Sequence, residues 1–511
     1  METAHNNMGV PEGFAPTSSI LISTTPQMNR SKRAREPPIP HLPDDVVVMI
    51  LSFLNIKQLA QCALVAKSFC DSHKFGRRLD FEQPIFKKLA RRRLYISTVG
   101  RILDQHKGPK IQSLKLFLDP FNDDEHRTMV AGWINKAGRK GVEEFDFDFF
   151  QKSNQMFLLP DGIFKIETLR ILRLSFCAVV LPEPKNNFVV TGLPCLRILS
   201  FREMDLRDMT VLEALFKACS KLETVELLHC FFPKYFKIVA EHLKKFKACK
   251  PANVLEIVGV AIDAPNLTTL HYSGPLVLFR YKDFDKLTDC ILDFKPHRAY
   301  LAMDRYKLDQ VMYDMSNIEV LTTTSRLLEG LCPKHSDGNS TINDFFCLSR
   351  LKEIQLLMEG SRYCNLFTIV SFLGKCPSIE KIHIDCRGWF RADMVLSNGY
   401  ALAVQQHSLL DWVVGPSYPN LKVLKLTGFK FEPHEMKLLS YFVETGLNLE
   451  IVAIFLPSPR SKETVPFMDE KTLNNQLRPK MASPHGRIRV FQHFEDQMFY
   501  PSKHPRNWYG R

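Results

Sequence analysis

A short pattern of alternating large apolar residues recurs along this chain from residue 111 onward. Its copies include LRILRLSFC at 169–177, LETVELLHC at 222–230 and LKVLKLTGF at 421–429. Alternation with a period of two predicts a short β-strand whose apolar residues all face one side. A strand of this length cannot bury that side alone, so the copies must pack on one another. The pattern therefore restricts the chain to a stacked, repetitive architecture.

The spacing of the copies indicates which architecture this is. Four of them start at residues 142, 169, 196 and 222, so the successive starts are 27, 27 and 26 residues apart. Such a period is typical of leucine-rich repeats, in which a strand alternates with a returning helix or loop. Later copies lie at 267–272, 351–357, 379–386 and 449–455, and several of the gaps between copies are larger, so the repeats are irregular. We therefore predict an α/β fold in which residues 111–460 form an irregular leucine-rich-repeat solenoid with parallel strands on its concave face. An ordinary parallel-sheet enzyme is the alternative.

A second feature lies near the start of the chain, in LPDDVVVMILSFL at 42–54. Only Ser52 is polar between Val46 and Leu54, which would make a helix that is apolar nearly all the way round. Pro43 suits the first turn of such a helix, and the two acids after it favour its N-terminus. With the following residues it would make a three-helix unit over 41–75, and units this small rarely fold without a partner. The helix is therefore expected to bind something outside its own unit.

This stretch resembles the F-box. The family pattern begins with Leu-Pro and acids and continues with Ile-Leu, Phe-Leu, a Val and a Lys before an aromatic residue. The resemblance implies that a Skp-type adaptor binds here and links the chain to a cullin, in the ubiquitin-protein ligase called an SCF complex. The adaptor-binding residues that it implies are Leu42, Pro43, Ile50, Leu51, Phe53, Leu54, Leu59, Val65 and Phe69.

The rest of the chain is similar to F-box proteins of flowering plants. The phrases LPDGIFKIETLRILRLSFC (159–177) and AIDAPNLTTLHYSG (261–274) resemble recurrent phrases of that group, and residues 415–460 resemble its C-terminal FBD repeat. The resemblance implies a non-catalytic substrate-recognition subunit, because the recruited subunits of the ligase carry out ubiquitin transfer. It implies no cofactor and no metal. The predicted partners are the adaptor, the cullin and a protein substrate of unknown identity.

The predicted organisation has five parts. Residues 1–39 are a disordered leader, 40–81 the F-box, 82–110 a basic helical linker, 111–460 the solenoid and 461–511 a basic tail. No apolar run is long enough for a membrane span, and no secretory signal is present. We therefore expect a chain of the cytoplasm, the nucleus or both. NRSKRAR at 29–35 fits a nuclear-import signal or a charged tether.

Two other classes of function remain open as alternatives. One is an F-box scaffold that does not lead to degradation. The other is a nucleic-acid-binding solenoid, because the net charge is +13, although the basic residues lie in three separate zones. Enzyme signatures are missing: HEMKL at 434–438, for example, lacks the second His of a zinc-protease helix. The 13 cysteines include no CxxC pair, which favours reduced structural thiols.

The residues between the inward apolar positions should project from the concave face. In the strand at 144–148, three carboxylates alternate with the inward phenylalanines. Like charges in a row repel one another, so we predict that this strand receives a Lys- or Arg-rich segment of the substrate. The alternative is that such residues only keep the face polar. The predicted substrate-contacting residues are Glu144, Asp146, Asp148, Arg173, Arg202, His383 and Asp385.

Overall fold

The computed structural model describes sixteen stretches of the chain. They are residues 43–65, 72–81, 89–118, 124–149, 156–179, 192–207, 209–232, 235–249, 259–274, 278–282, 284–294, 304–331, 346–358, 366–388, 416–458 and 468–505. The chain divides into two compact units, residues 1–47 and residues 48–511. In the first unit the described residues are 43–47, where the first helix begins. The predicted leader, 1–39, lies outside the described residues. None of the helices in these stretches is long and apolar enough to cross a membrane.

The described helices contain 7 to 17 residues, and strands lie between successive helices except between the first two. They are α1 (Asp44–Ser52), α2 (Ile56–Val65), α3 (Leu89–Gln105), α4 (Asp124–Arg139), α5 (Met209–Ala218), α6 (Asp304–Asp314), α7 (Ser325–Leu331), α8 (Leu366–Leu373), α9 (Pro433–Thr445) and α10 (Glu470–Leu477).

The described strands contain three to six residues each. They are β1 (Arg78–Phe81), β2 (Ser113–Phe117), β3 (Glu144–Asp148), β4 (Phe157–Leu159), β5 (Ile171–Ser175), β6 (Cys177–Val179), β7 (Ile198–Arg202), β8 (Thr224–Leu228), β9 (Tyr235–Val239), β10 (Lys245–Cys249), β11 (Gly259–Asp263), β12 (Thr269–Gly274), β13 (Leu278–Lys282), β14 (Asp289–Phe294), β15 (Val320–Thr324), β16 (Glu353–Leu357), β17 (Lys381–Asp385), β18 (Val423–Thr427), β19 (Ile451–Phe455) and β20 (Arg487–Phe491).

One long parallel sheet organises the second unit. Within the described residues it has fifteen strands, in the order β1-β2-β3-β5-β7-β8-β10-β12-β14-β15-β16-β17-β18-β19-β20. The apolar positions of the repeats are in register, so that Phe145 lies between Leu114 and Leu172. These three side chains are 0% exposed and belong to one continuous apolar core. The α/β class and the parallel-strand solenoid predicted from the repeats are confirmed.

The sheet extends beyond both ends of the predicted solenoid. Strand β1, in the range assigned to the F-box, pairs with β2. Helix α3, in the range assigned to a linker, buries Val99 and Leu103 in the core. Strand β20, in the range assigned to a basic tail, pairs with β19. The leucine template misses β20 because its sequence, RIRVF, alternates two arginines with two apolar residues and has no leucine.

The returning segments of the middle repeats also differ from the expected helix or loop. Strands β9, β11 and β13 form a second parallel sheet, and β4 pairs with β6. The sequences YFKIV and GVAID alternate apolar and other residues with a period of two, which favours strands over helices.

The described cysteines agree with the prediction of reduced structural thiols. Ten of them are free, and Cys177, Cys230 and Cys386 are buried at the ends of repeats. Burial raises the pKa of the Cys230 thiol to about 12. These thiols therefore remain protonated and pack as small apolar groups.

Helix α9 begins with a buried carboxyl group. The Oε2 atom of Glu435 accepts hydrogen bonds from the backbone N–H groups of Lys430 (2.7 Å) and Glu432 (3.2 Å). The residue is 0% exposed, and burial raises the pKa of Glu435 to about 7. The folded chain therefore binds this proton more tightly than the unfolded chain does.

Replacing Glu435 by Gln should flatten the pH dependence of stability. The protonated carboxyl group stabilises the fold fully below the ordinary pKa of 4.5, and this contribution is lost as the pH rises through about 7. The free energy of unfolding should therefore fall by about 3 kcal/mol over this pH range. In Glu435→Gln this pH-dependent fall should disappear, while the amide oxygen still accepts the two hydrogen bonds. Urea unfolding from pH 5 to pH 8 measures it. Glu444→Gln, at an exposed position of α9, is the control. If the free energy of unfolding changed with pH equally in wild type and Glu435→Gln, the raised pKa of Glu435 would be wrong.

Candidate functional site

Helix α1 exposes large apolar side chains on one face. Met49, Ile50 and Phe53 are 55%, 49% and 70% exposed. Phe53 is the residue directly after α1 and follows the other two by four and three residues, a spacing that makes side chains neighbours on a helical turn. Leu51, in contrast, is only 7% exposed. A cluster of exposed large apolar residues beside a buried anchor is typical of a protein-binding surface.

Helix α2 follows after a tight connection whose geometry is fixed locally. Gln58 donates its backbone N–H to Asn55 Oδ1 (2.9 Å), and Asn55 donates its own to Gln58 Oε1 (3.0 Å). This reciprocal pair is a capping box, which specifies where the helix begins. Leu59 then lies 0% exposed, whereas Leu64 is 88% exposed. Helix α2 therefore packs inward through Leu59 and presents a further apolar side chain to solvent.

The structure separates the predicted adaptor-binding residues into groups. Ile50 and Phe53 are exposed, and Pro43 is exposed directly before α1. Leu54 is half-buried, and Leu51 and Leu59 face the interior. Val65 ends α2, although its side chain lies outside the described residues, as do Leu42 and Phe69. Met49 and Leu64 were not among the predicted adaptor-binding residues. The spacing of four residues between Met49 and Phe53 was the available signal for the first.

A second surface is formed by the central residues of neighbouring strands, on the side of the long sheet opposite the apolar core; we call it the open face. Register pairing aligns these residues in a row that crosses β1 to β12. Adjacent strands are about 4.8 Å apart, so each side chain lies beside the next. Acidic and basic groups alternate along most of this row. Its members are Asp80, Lys115, Asp146, Arg173, Ser200, Glu226, Lys247 and His271.

The three carboxylates of β3 are not simply repelling one another. Arg173 Nη1 lies 2.6 Å from Glu144 Oε1 and 3.9 Å from Asp146 Oδ2, and Lys115 Nζ lies 3.6 Å from Glu144 Oε1. Burial opposes ionisation of Glu144, but the Arg173 hydrogen bond and Lys115 outweigh it and hold its pKa below the usual range. The neighbouring cations thus relieve the repulsion that the sequence predicts for Glu144.

The carboxyl group of Asp148, at the end of β3, differs from that of Glu144 in its pKa and in its hydrogen bonds. Burial raises its pKa, against the charge of Arg202. Its buried Oδ1 atom accepts no hydrogen bond among the described residues. Arg202 itself is exposed, while Asp146 and Arg173 are half-buried. Five predicted substrate-contacting residues therefore lie together on strands β3, β5 and β7, with surface available to a partner.

The other half of the open face is covered by the chain's own C-terminal segment, residues 492–505. Its backbone and side chains contact strands β14 to β18: the backbone N–H of Lys503, for example, donates to Glu353 Oε1 (2.7 Å). Polar residues that the repeats place on the open face are consequently buried here. They are Thr322, Gln355, His383, Asp385 and Lys425, between 2% and 8% exposed.

Lys425 is the main anchor of this segment. Its Nζ atom donates to the backbone oxygens of Asp496 (2.7 Å), Phe499 (3.2 Å) and Tyr500 (3.2 Å). It also lies 2.7 Å from Asp496 Oδ1 and 4.6 Å from the centre of the Phe455 ring. The Lys425 ammonium group thus donates to three backbone oxygens of the segment and also pairs with the Asp496 carboxylate.

The predicted pair His383 and Asp385 lies beneath the segment, away from solvent. Burial lowers the pKa of His383 to about 3, and neither of its ring nitrogens has a hydrogen-bond partner among the described residues. Asp385 Oδ1 accepts from Arg387 Nε at 2.9 Å. The structure therefore does not bring these two residues together with Glu144, Asp146 and Asp148 on one accessible surface.

Comparisons with known proteins agree with this architecture. A family model described as "At1g61320/AtMIF1, LRR domain" matches residues 102–465, and one described as "F-box-like" matches residues 39–72. The F-box-like match includes α1 and α2, and the other match includes strands β2 to β19. Members of such F-box and leucine-rich-repeat families are generally non-catalytic adaptors.

Individual relatives are similar over most of their length. The FBD-associated F-box protein At1g61320 of Arabidopsis thaliana is 24% identical over 437 residues, covering 85% of this chain and 92% of the relative. The putative FBD-associated F-box protein At1g61330 of the same plant is 25% identical over 426 residues, covering 82% and 91%. The putative F-box/LRR-repeat protein At5g41840 is 25% identical over 378 residues. The exposed α1 face, the long parallel sheet and these matches together establish that the chain belongs to the plant F-box proteins with leucine-rich repeats, in the FBD-associated group.

Proposed function

We propose that this chain is the substrate-recognition subunit of an SCF ubiquitin-protein ligase. Helix α1 would bind a Skp-type adaptor through Met49, Ile50 and Phe53, and the adaptor would link it to a cullin. The observation that carries this proposal is the exposure of these three apolar side chains within the F-box-like match. Ubiquitin transfer itself would be carried out by the other subunits, while this chain raises the local concentration of the substrate.

The proposed substrate-binding surface is the uncovered part of the open face. Strands β3, β5 and β7 carry Asp146, Asp148, Arg173 and Arg202 with accessible surface. Strands β14 to β18 are covered by residues 492–505. A protein segment with basic side chains would suit this surface, because Asp146 and Asp148 both keep accessible carboxylate surface on it.

Changing Asp146 and Asp148 together to Asn should weaken substrate capture and leave adaptor binding intact. The reason is that two carboxylates would be lost from the face without loss of side-chain volume, and the effect should be largest at low salt. Proximity labelling in plant cells, with the proteasome blocked and mass spectrometry as readout, measures it. Glu144 is left unchanged because it pairs with Arg173.

The matched control is Glu125→Gln with Glu167→Gln, which removes the same charge at exposed positions away from the face. We expect proteins that are lost with the Asp146/Asp148 variant and retained with the control. If wild type, variant and control labelled the same set of proteins, Asp146 and Asp148 would not contact the substrate and would only keep the face polar.

The nucleic-acid alternative has weaker support. A groove beside the strand starts contains Arg197, Lys244 and Lys286, but Glu223 lies 3.1 Å from Arg197 and 3.3 Å from Lys244. Lys286 donates to Asn266 Oδ1 at 2.6 Å. These partners already engage the basic groups. Affinity for nucleic-acid phosphates would fall steeply with ionic strength. A salt titration of binding therefore separates nucleic-acid binding from binding of a protein substrate.

A further inference from the structure

Three potential metal ligands from distant parts of the chain meet at the edge of the covered half of the open face. His271 lies on β12, Asp289 on β14 and His504 on the C-terminal segment. The Asp289 Oδ1 atom is 3.2 Å from His271 Nε2 and 2.6 Å from His504 Nε2. Each pair of the three ligand atoms lies within 4.8 Å. The side chains of His271, Asp289 and His504 are 11%, 17% and 4% exposed.

In one tautomer of His504, its contacts leave a cation position between its ring and Asp289. The Thr322 hydroxyl donates to Gln355 Oε1 at 3.2 Å, and its oxygen lies 2.8 Å from His504 Nδ1. When Nδ1 carries the hydrogen of a neutral imidazole, it donates to this oxygen, and the other nitrogen, Nε2, aims its lone pair at the Asp289 carboxylate. Two acceptors at 2.6 Å repel each other unless a proton or a metal ion lies between them.

The arrangement also matches the usual surroundings of a zinc ligand. Zinc binds His nitrogen and Asp oxygen, often through three protein ligands with a fourth position left for water. A ligating His commonly donates its other N–H to a fixed acceptor, and the Thr322 oxygen lies 2.8 Å from His504 Nδ1, where it could accept such a bond. Tetrahedral zinc with ligands at about 2.0–2.1 Å would place the ligand atoms roughly 3.3 Å apart. The 3.2 Å between Asp289 Oδ1 and His271 Nε2 already matches this spacing, whereas the 2.6 Å between Asp289 Oδ1 and His504 Nε2 would have to widen by about 0.7 Å.

Nearby cations leave the coordinating oxygen available. Lys503 Nζ lies 3.5 Å from the other carboxylate oxygen, Asp289 Oδ2. Lys247, on the neighbouring strand β10, pairs with Glu226 at 2.9 Å. Asp289 Oδ1 therefore faces both imidazoles, while Lys503 faces Oδ2.

We propose that His271, Asp289 and His504 bind a divalent transition-metal ion, with zinc as the expected metal. The ion would fasten the C-terminal segment to strands β12 and β14, and so would fix which part of the open face remains free. This site is independent of the adaptor-binding role of α1. Chain spacing could not reveal it, because Asp289 and His504 are 215 residues apart in sequence.

The experiment is a zinc titration of the full-length chain after removal of metal with a chelator. We expect the wild-type chain to bind one equivalent of zinc. His504→Ala and His271→Ala should each bind zinc at least about a hundredfold more weakly. His493→Ala, an exposed position of the same segment, is the control and should bind as wild type does. Thr322→Val keeps all three ligands and should weaken binding by roughly tenfold or more, because His504 loses its orienting partner.

Cobalt spectroscopy protects the test against variants that fold poorly and against zinc held by cysteines. Cobalt in the wild-type site should give a visible spectrum without thiolate charge-transfer bands. His504→Cys should keep the metal and add such a band, because the new thiolate would take the third ligand position. Equal zinc affinity and stoichiometry in wild type, His504→Ala and His271→Ala would overturn the proposal. That result would mean that a proton on His504, and not a metal ion, joins this side chain to Asp289 in an ion pair.

Discussion

Replacing Ile50 and Phe53 together by Asp is expected to abolish co-purification of a Skp-type adaptor while the rest of the chain stays folded. Both side chains are exposed, so the change costs the isolated chain little. In a complex it would bury two unpaired carboxylates, costing several kcal/mol. Affinity should therefore fall by more than about a hundredfold. Co-expression with the adaptor, followed by affinity measurement on the purified chain, tests it, and circular dichroism reports the fold.

Substitution at Ile50 and Phe53 separates an effect on binding from an effect on folding. Leu51 is buried, so an Asp there would disrupt the fold as well as any binding and could not separate the two. Leu94→Asp with Tyr313→Asp is the matched control, because those side chains are also exposed, 65% and 55%, but lie on α3 and α6. Adaptor binding at wild-type strength by the Ile50/Phe53 variant would contradict the assignment of α1 as the adaptor-binding helix.

Replacing Lys425 by Met should release the C-terminal segment from the open face. Met keeps much of the side-chain volume but removes the donor shared by three backbone oxygens and leaves the Asp496 carboxylate with only Thr427 and Arg387 beside it among the described residues. Removing one partner of a buried ion pair costs about 3–5 kcal/mol. The equilibrium for opening the segment should therefore rise by at least about a hundredfold. Hydrogen exchange of peptides from residues 492–505 measures it directly.

Lys422→Met provides the control for this change. Lys422 pairs with Glu380 at 3.2 Å at a solvent-exposed position, and such pairs contribute about 0–1 kcal/mol. Exchange in residues 492–505 should remain slow in that variant. If Lys425→Met also left exchange of this segment unchanged, the anchoring role of Lys425 would be wrong.

The sequence predicted the repeats well because their signal is local. Phe145, Leu172 and Val225 each alternate with polar neighbours within five residues, and burial of one side dictates that register. The apolar character of α1 was equally readable. Strand β20 was not, because Arg487 and Arg489 occupy the solvent side of a strand that has no leucine.

The candidate sites were only partly predictable, since their geometry depends on long-range contacts. The sequence assigned His383 and Asp385 to an accessible surface because their strand has the same alternation as β3. Burial by residues 492–505 reverses that, and nothing in strand periodicity indicates which strands a distant segment will cover. The contacts of Lys425 span 71 to 75 residues of sequence. The spacing of His271, Asp289 and His504 is likewise set by the fold alone.

The measurement that tests the central proposal most directly is ubiquitin transfer in a reconstituted complex. The full-length chain would be combined with adaptor, cullin, RING subunit, conjugating enzyme and a protein captured by wild type but not by the Asp146/Asp148 variant. We expect ubiquitin on the captured protein with the wild-type chain, and loss of transfer with the Ile50/Phe53 variant and with the Asp146/Asp148 variant. Transfer at equal rates in all three reactions, or none with wild type despite stable adaptor and substrate binding, would contradict the proposed role as a substrate receptor.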